Sequence, residues 1–208
     1  MRFHEFQKLK EFDASAALSS AGNIMQVLTN PLGSLTDIAS GDGSSDKAGT
    51  TQSSKEDLSV IQDPDFNRKL EKIANKLGVK ATDLLAVMKI ESSVNPKATN
   101  SSGATGLIQF MPSTAKSLGT TTSELYKMSA VEQLDYVYLY YKNIGLKPGS
   151  TAGDIYIATF YPKATGKPDD YVISSRGQNI YNQNAVLDKN KDNIITVGDV
   201  KKSVQRFA

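Results

Sequence analysis

Between Leu84 and Ile90 the chain reads Leu-Leu-Ala-Val-Met-Lys-Ile, and only Lys89 is clearly polar. A helix that is apolar almost all round must be enclosed by other elements. Thr82 is placed to cap it, and Asp83 falls in its positive first turn. The run then ends on an acid, Glu91. A core helix carrying a carboxyl at its C-terminal end requires the neighbouring elements to close around that group. Apolar surroundings and the negative end of the helix dipole both favour the protonated form there. A carboxyl held protonated near neutral pH can act as a general acid. An ordinary solvated glutamate at a helix end fits the same position, and position alone leaves both readings open.

After Glu91 the chain enters a Ser/Asn/Gly-rich loop and returns to an apolar turn at Gly106-Leu107-Ile108-Gln109. A chain turning back towards a buried acid needs positive φ and close backbone approach, which Gly103 and Gly106 can supply. Pro112 suits the first turn of a further helix, which Gly119 ends. The full set is Glu91-Ser92, Asn95-Pro96, Ala98, Gly103-Ala104, Gly106-Leu107, Gln109, Met111-Pro112, Thr114-Ala115 and Leu118-Gly119. This run closely resembles the catalytic motif of soluble lytic transglycosylases, the lysozyme-like enzymes that cut bacterial peptidoglycan. The resemblance implies a mainly α, lysozyme-like domain. It implies that Glu91 is the catalytic acid/base and that Ser92 orients it or the substrate. It further implies that Gln109 and the backbone around Gly106 line a sugar cleft. A second signature of the family, Ala-x-Tyr-Asn-x-Gly, is not kept. The nearest stretch is Ile157 to Ala164, where either Phe160 or Tyr161 can take the aromatic place and no Asn follows. Its aromatic-x-Pro look is similar to phage-encoded members, and Tyr161 is the expected substrate-side hydroxyl.

The rest of the chain is organised around that domain. Residues 1–35 hold two short helical patterns and read as a docking segment. Residues 36–60 are rich in Ser, Gly, Thr and Asp and read as a flexible linker. Residues 61–180 read as the catalytic domain. Within it Asp63 caps and Pro64 starts a helix with the stripe Phe66, Leu70, Ile73, Leu77, stopped by Gly78. Ser129 with Glu132 forms a capping box, and another helix runs from about Ala152 to Tyr161, stopped by Pro162. No segment alternates strongly enough to demand a large sheet.

Residues 181–208 carry a third feature. From Asp188 to Asp199, oxygen-bearing side chains fall at loop positions 1, 3, 5, 9 and 12: Asp188, Asn190, Asp192, Thr196 and Asp199. Ile194 would offer its carbonyl at position 7, and Asn193 would take the sharp turn at position 6. That spacing resembles an EF-hand calcium loop, with Asn for the usual Gly and Asp for the usual bidentate Glu. A structural calcium ion and a terminal helix over Val200–Phe207 are the expectation. A polar turn before a helix is the plainer alternative. Catalysis by Glu91 requires no cofactor.

Net charge is +2, which gives no basis for nucleic-acid binding. There is no cysteine, and His4 is the only histidine, so disulfides and a zinc site built from several histidines are excluded. No apolar run approaches the ~18 residues that span a bilayer, and the first residues lack a secretory signal's apolar core. The expected partner is bacterial peptidoglycan, cleaved at the MurNAc-GlcNAc bond. Without a signal peptide, delivery in a phage tail or baseplate is expected, with residues 1–35 docking on tail proteins. A muramidase or a catalytically weak wall-binding tail protein is the alternative.

Overall fold

The computed structural model describes residues 59–205. The docking segment and nearly all of the linker expected over 1–60 lie outside the described residues, as does Phe207. The fold is mainly α and lysozyme-like. Its helices are α1 (Pro64–Leu77), α2 (Ala81–Ser92), α3 (Pro112–Ser117), α4 (Thr122–Lys127), α5 (Ala130–Asn143) and α6 (Ala152–Phe160). After them come β1 (Val172–Ser175), α7 (Asn179–Asn184), β2 (Ile194–Thr196) and α8 (Val197–Val204).

Local chemistry sets most of the boundaries. Asp63 accepts from the Asp65 amide at 2.8 Å, and Gly78 ends α1 in the left-handed conformation at φ 72°. Gly78 is not replaceable here, because a Cβ would meet Pro148 at 2.7 Å. Ser129 and Glu132 close the expected capping box on α5, and Thr151 with Asp154 closes a second one on α6. Two expectations are corrected. Helix α2 begins at Ala81 with Lys80 as N-cap, ahead of Thr82, which is exposed inside the helix. Helix α8 begins at Val197 rather than Val200, because Thr196 and Asp199 form a third capping box.

The core is gathered around α6, where Ile155, Tyr156, Ile157 and Ala158 are essentially inaccessible. Helices α2 and α8 both pack on α6, and α1 packs on α5 and α2. Strands β1 and β2 form an antiparallel pair, with Ser174 opposite Ile195 and an irregularity between Val172 and Ser174. The division drawn from sequence at residue 180 therefore falls between two paired strands, and α8 belongs to the core.

A chain ending at residue 180 should not fold stably. It would lose Leu187, Ile195, Val197, Val200 and Val204, all at 0% exposure. At ~1.5–3 kcal/mol per buried aliphatic side chain, the loss is on the order of 10 kcal/mol, comparable with a whole domain's stability. Circular dichroism of the truncated chain checks this, and a cooperative thermal transition near that of the full chain would refute it.

Candidate active site

Glu91 lies in the last turn of α2, 6% exposed, between buried Ile90 and Ser92. Among the described residues none hydrogen-bonds its carboxyl, and no charged neighbour offsets its burial. Desolvation alone raises its pKa from 4.5 to about 8, so the group is a carboxylic acid at neutral pH.

The chain leaves α2 abruptly. Ser93 and Val94 adopt φ of 54° and 64°, and their amides return to the carbonyls of Lys89 and Met88 at 3.0 and 3.2 Å. Positive φ is costly for a β-branched residue such as Val94, and its full burial holds it there. The loop then folds on itself. The Gly106 amide donates to Ala98 O at 2.9 Å, and Thr105 and Phe110 exchange backbone bonds at 3.0 and 2.9 Å.

Ser92 and Gln109 brace this loop. Ser92 Oγ donates to Leu107 O at 2.9 Å and Met88 O at 3.2 Å. Gln109, at φ 52°, directs Nε2 to Ala98 O and Gly106 O, both at 3.2 Å. Both side chains are buried. Gly106, at φ 85°, passes so close to α5 that a Cβ would lie 2.3 Å from Gln133 Oε1.

Gln133 is the residue that sequence reasoning misses. It has 0% exposure. Its Oε1 accepts from the Leu107 amide at 2.9 Å, and its Nε2 donates to Pro96 O at 2.7 Å and Leu125 O at 2.8 Å. One amide thus joins both limbs of the loop to α4. The sequence does hold a signal, since Gln133 sits on the same stripe as Ala130, Leu134, Val137 and Tyr141, where a polar residue needs buried partners.

Three buried tyrosines feel the charge of the acid. Burial raises the phenols of Tyr140, Tyr141 and Tyr156, and the negative charge that Glu91 would carry raises each further. Tyr140 hydroxyl donates to Ala158 O at 2.9 Å, and Tyr141 shares a bond with Thr159 Oγ1 at 2.8 Å. Tyr161, the expected substrate-side hydroxyl, is the C-cap of α6, its amide donating to Ile157 O. Its phenol is raised by burial and then by Tyr171, with no contribution from Glu91. Phe160 stacks on Tyr156 with centroids 6.0 Å apart.

Residues 69–135 match the Transglycosylase SLT domain family model. The match spans α2, the loop and part of α5, and so includes Glu91, Ser92, Gly106, Gln109 and Gln133. The curated Transglycosylase of Enterobacteria phage PRD1 is 57% identical over 37 residues. That alignment covers 18% of this chain and 14% of the phage protein. No solved structure matches the chain.

The 188–199 loop closes on its own hydrogen bonds. Asp188 accepts from the amides of Asp192 and Asn193 at 3.1 and 2.9 Å and from Tyr181 hydroxyl at 2.7 Å. The Tyr181 bond, ahead of those amides, holds its carboxyl below the usual range. Asn193 takes the left-handed turn expected of it, at φ 69°. Asn190 donates to Asp192, and the Ile194 amide donates to Asp192 Oδ1 at 2.9 Å. Asp199 is occupied in the α8 capping box, its Oδ2 accepting from Thr196 Oγ1 at 2.6 Å. Among the described residues no three histidine, cysteine or acidic side chains gather into a group that could hold a metal ion.

The burial of Glu91 has a measurable cost. The unfolded chain ionises this carboxyl near 4.5 and the folded chain near 8, so stability falls as pH rises between those values. Glu91→Gln removes the ionisation. The variant should match the wild type near pH 4 and exceed it by about 3–5 kcal/mol at pH 8. Thermal unfolding of both proteins across that range checks this, and a constant difference would contradict it.

Proposed function

We propose that this chain is a lytic transglycosylase that cleaves peptidoglycan between N-acetylmuramic acid and N-acetylglucosamine. The observation that carries the proposal is Glu91, a carboxyl kept protonated by burial and set against a loop whose sequence matches the SLT domain. Glu91 gives its proton to the glycosidic oxygen as the bond to the anomeric carbon breaks. The resulting carboxylate takes the proton of the muramoyl 6-hydroxyl as that oxygen bonds to the same carbon. The products are a 1,6-anhydro sugar and a free 4-hydroxyl, and Glu91 ends protonated. A hydrolase of this type ordinarily needs a second carboxylate for water or for a covalent intermediate. Among the described residues no second acid acts on Glu91, which supports the single-residue route over a muramidase. Substrate contacts by Ser92, Gly106, Gln109 and Tyr161 rest on the family resemblance.

Glu91→Gln should lower turnover on purified peptidoglycan by at least ~10²-fold, the usual scale for a lost general acid. Mass analysis of the released muropeptides should show anhydro ends. Reducing ends in their place would assign hydrolysis, and near-normal activity of the variant would remove Glu91 from the chemistry.

The phage origin of the relative supports a role in opening the host wall during infection. We place the protein in the virion tail or baseplate, docked through residues 1–35, and its detection in purified particles is the test. A weakly active wall-binding tail protein is the second reading, and the zymogram of the wild type separates the two.

We further propose structural calcium at Asp188, Asn190, Asp192, Ile194 and Asp199. The spacing and the left-handed Asn193 turn support it, while the carboxylates must draw together to bind. Calcium at a hundredfold excess over its Kd should then stabilise the fold by about 2.7 kcal/mol. Asp188→Ala should abolish the shift in melting temperature. No shift in the wild type would leave the segment a polar turn.

A further inference from the structure

Tyr156 poses a problem that packing alone does not solve. It lies in the middle of α6 at 0% exposure. Its hydroxyl is buried with no hydrogen-bond partner. A buried hydroxyl left unpaired is costly, and a phenyl ring of the same shape would avoid the cost. The neighbouring phenols show the ordinary solution, since Tyr140 and Tyr141 are bonded to Ala158 and Thr159.

Helix α6 packs directly on α2, which carries Glu91. Among the described residues no donor bonds the Glu91 carboxyl. During turnover it must become a carboxylate in the same buried place, and a buried anion needs a hydrogen bond. The titratable groups that feel its charge are Tyr140 and Tyr141 from α5 and Tyr156 from α6. None of the charged side chains of α1 or α8, the other helices around it, alters its proton affinity. Burial, and then the Glu91 charge, keep Tyr156 a phenol, so it can donate and does not compete as an acid.

We propose that Tyr156 is a positioning residue for Glu91: its spare hydroxyl donates to the Glu91 carboxylate once that group has released its proton. The phenol gives up no proton, and the bond forms only in the ionised half of the cycle. This rests on the catalytic role proposed for Glu91, yet the bond itself can be tested without substrate.

The test is the titration of Glu91 by carbon NMR on full-length protein labelled at the glutamate carboxyls, with the Glu91 signal identified by its loss in Glu91→Gln. Tyr156→Phe should raise the Glu91 midpoint by about one pH unit, a tenfold change in proton affinity. The basic limb of kcat/KM should move the same way, with KM little changed. The melting temperature with Glu91 protonated should stay level or rise, because an unpaired hydroxyl has been removed. Tyr141→Phe, which breaks a hydroxyl pair already satisfied, should leave the midpoint in place. A midpoint unmoved by Tyr156→Phe overturns the proposal, as does an equal shift in Tyr141→Phe. If the wild type fails to cleave peptidoglycan, the catalytic reading falls, and the titration still decides whether Tyr156 bonds the Glu91 carboxylate.

Discussion

The amide of Gln133 is the contact on which the site depends. It satisfies the Leu107 amide and the carbonyls of Pro96 and Leu125, with Gln133, Leu107 and Leu125 fully buried and Pro96 partly so. Leaving such groups unpaired costs about 1–3 kcal/mol each, so the loop after Glu91 has one docked position and poor alternatives. The absence of a side chain at Gly106 is part of the same contact, because only glycine lets the backbone come this close to the amide. Two residues 27 positions apart in the chain are thus chosen for each other. The strained turn at Ser93 and Val94 is tolerable because this clamp, together with Ser92 and Gln109, fixes both of its ends.

The energetics of Glu91 follow from that enclosure. A loop braced by backbone carbonyls has few free donors to offer a carboxylate. The acid therefore stays protonated, and the domain carries a group that costs it stability whenever the solution is more alkaline than the carboxyl's ordinary range. This is the expected relation between a site and its scaffold, where function is held against local preference by packing elsewhere. The packing in question is the α1, α2, α5 and α6 core, whose side chains are almost all aliphatic or aromatic.

Much of this is legible in the sequence, for identifiable reasons. Glu91 stands out because an all-apolar helix ending in an acid is rare, and because its loop carries a dense family pattern. The ends of α1 and the start of α5 are readable because Asp63, Pro64, Gly78, Ser129 and Glu132 act within a turn of themselves. The features that sequence hides are mostly contacts between distant segments. Thr82 has good capping chemistry, yet burial of Leu84 and Ala86 places the start of α2 earlier. Helix α4 has the Thr121 cap, whose hydroxyl accepts from the Glu124 amide at 3.1 Å, but only six residues and no stripe to reveal it. Tyr161 is the expected tyrosine because it sits in the stretch nearest the family's second signature. The tyrosines that feel the Glu91 charge are Tyr140, Tyr141 and Tyr156, which no family motif marks.

The C-terminal segment is the hardest to place from sequence, since its oxygen-rich loop masks the apolar residues on either side. Those residues make α8 the back wall of α6. Lys201 reaches Asp154 on α6 and Asp169 before β1, both at 2.9 Å. Burial presses its ammonium towards neutrality, but the two carboxylates outweigh that and hold its pKa above the ordinary value. Gly153 allows the approach, because a Cβ there would meet the Lys201 side chain at 3.0 Å. Helix α6 is therefore held between α8 on one side and α2 on the other. The 188–199 loop joins α8 at the Thr196–Asp199 cap, and α8 in turn packs on α6. A segment remote in sequence from Glu91 thus backs the helix that packs on α2.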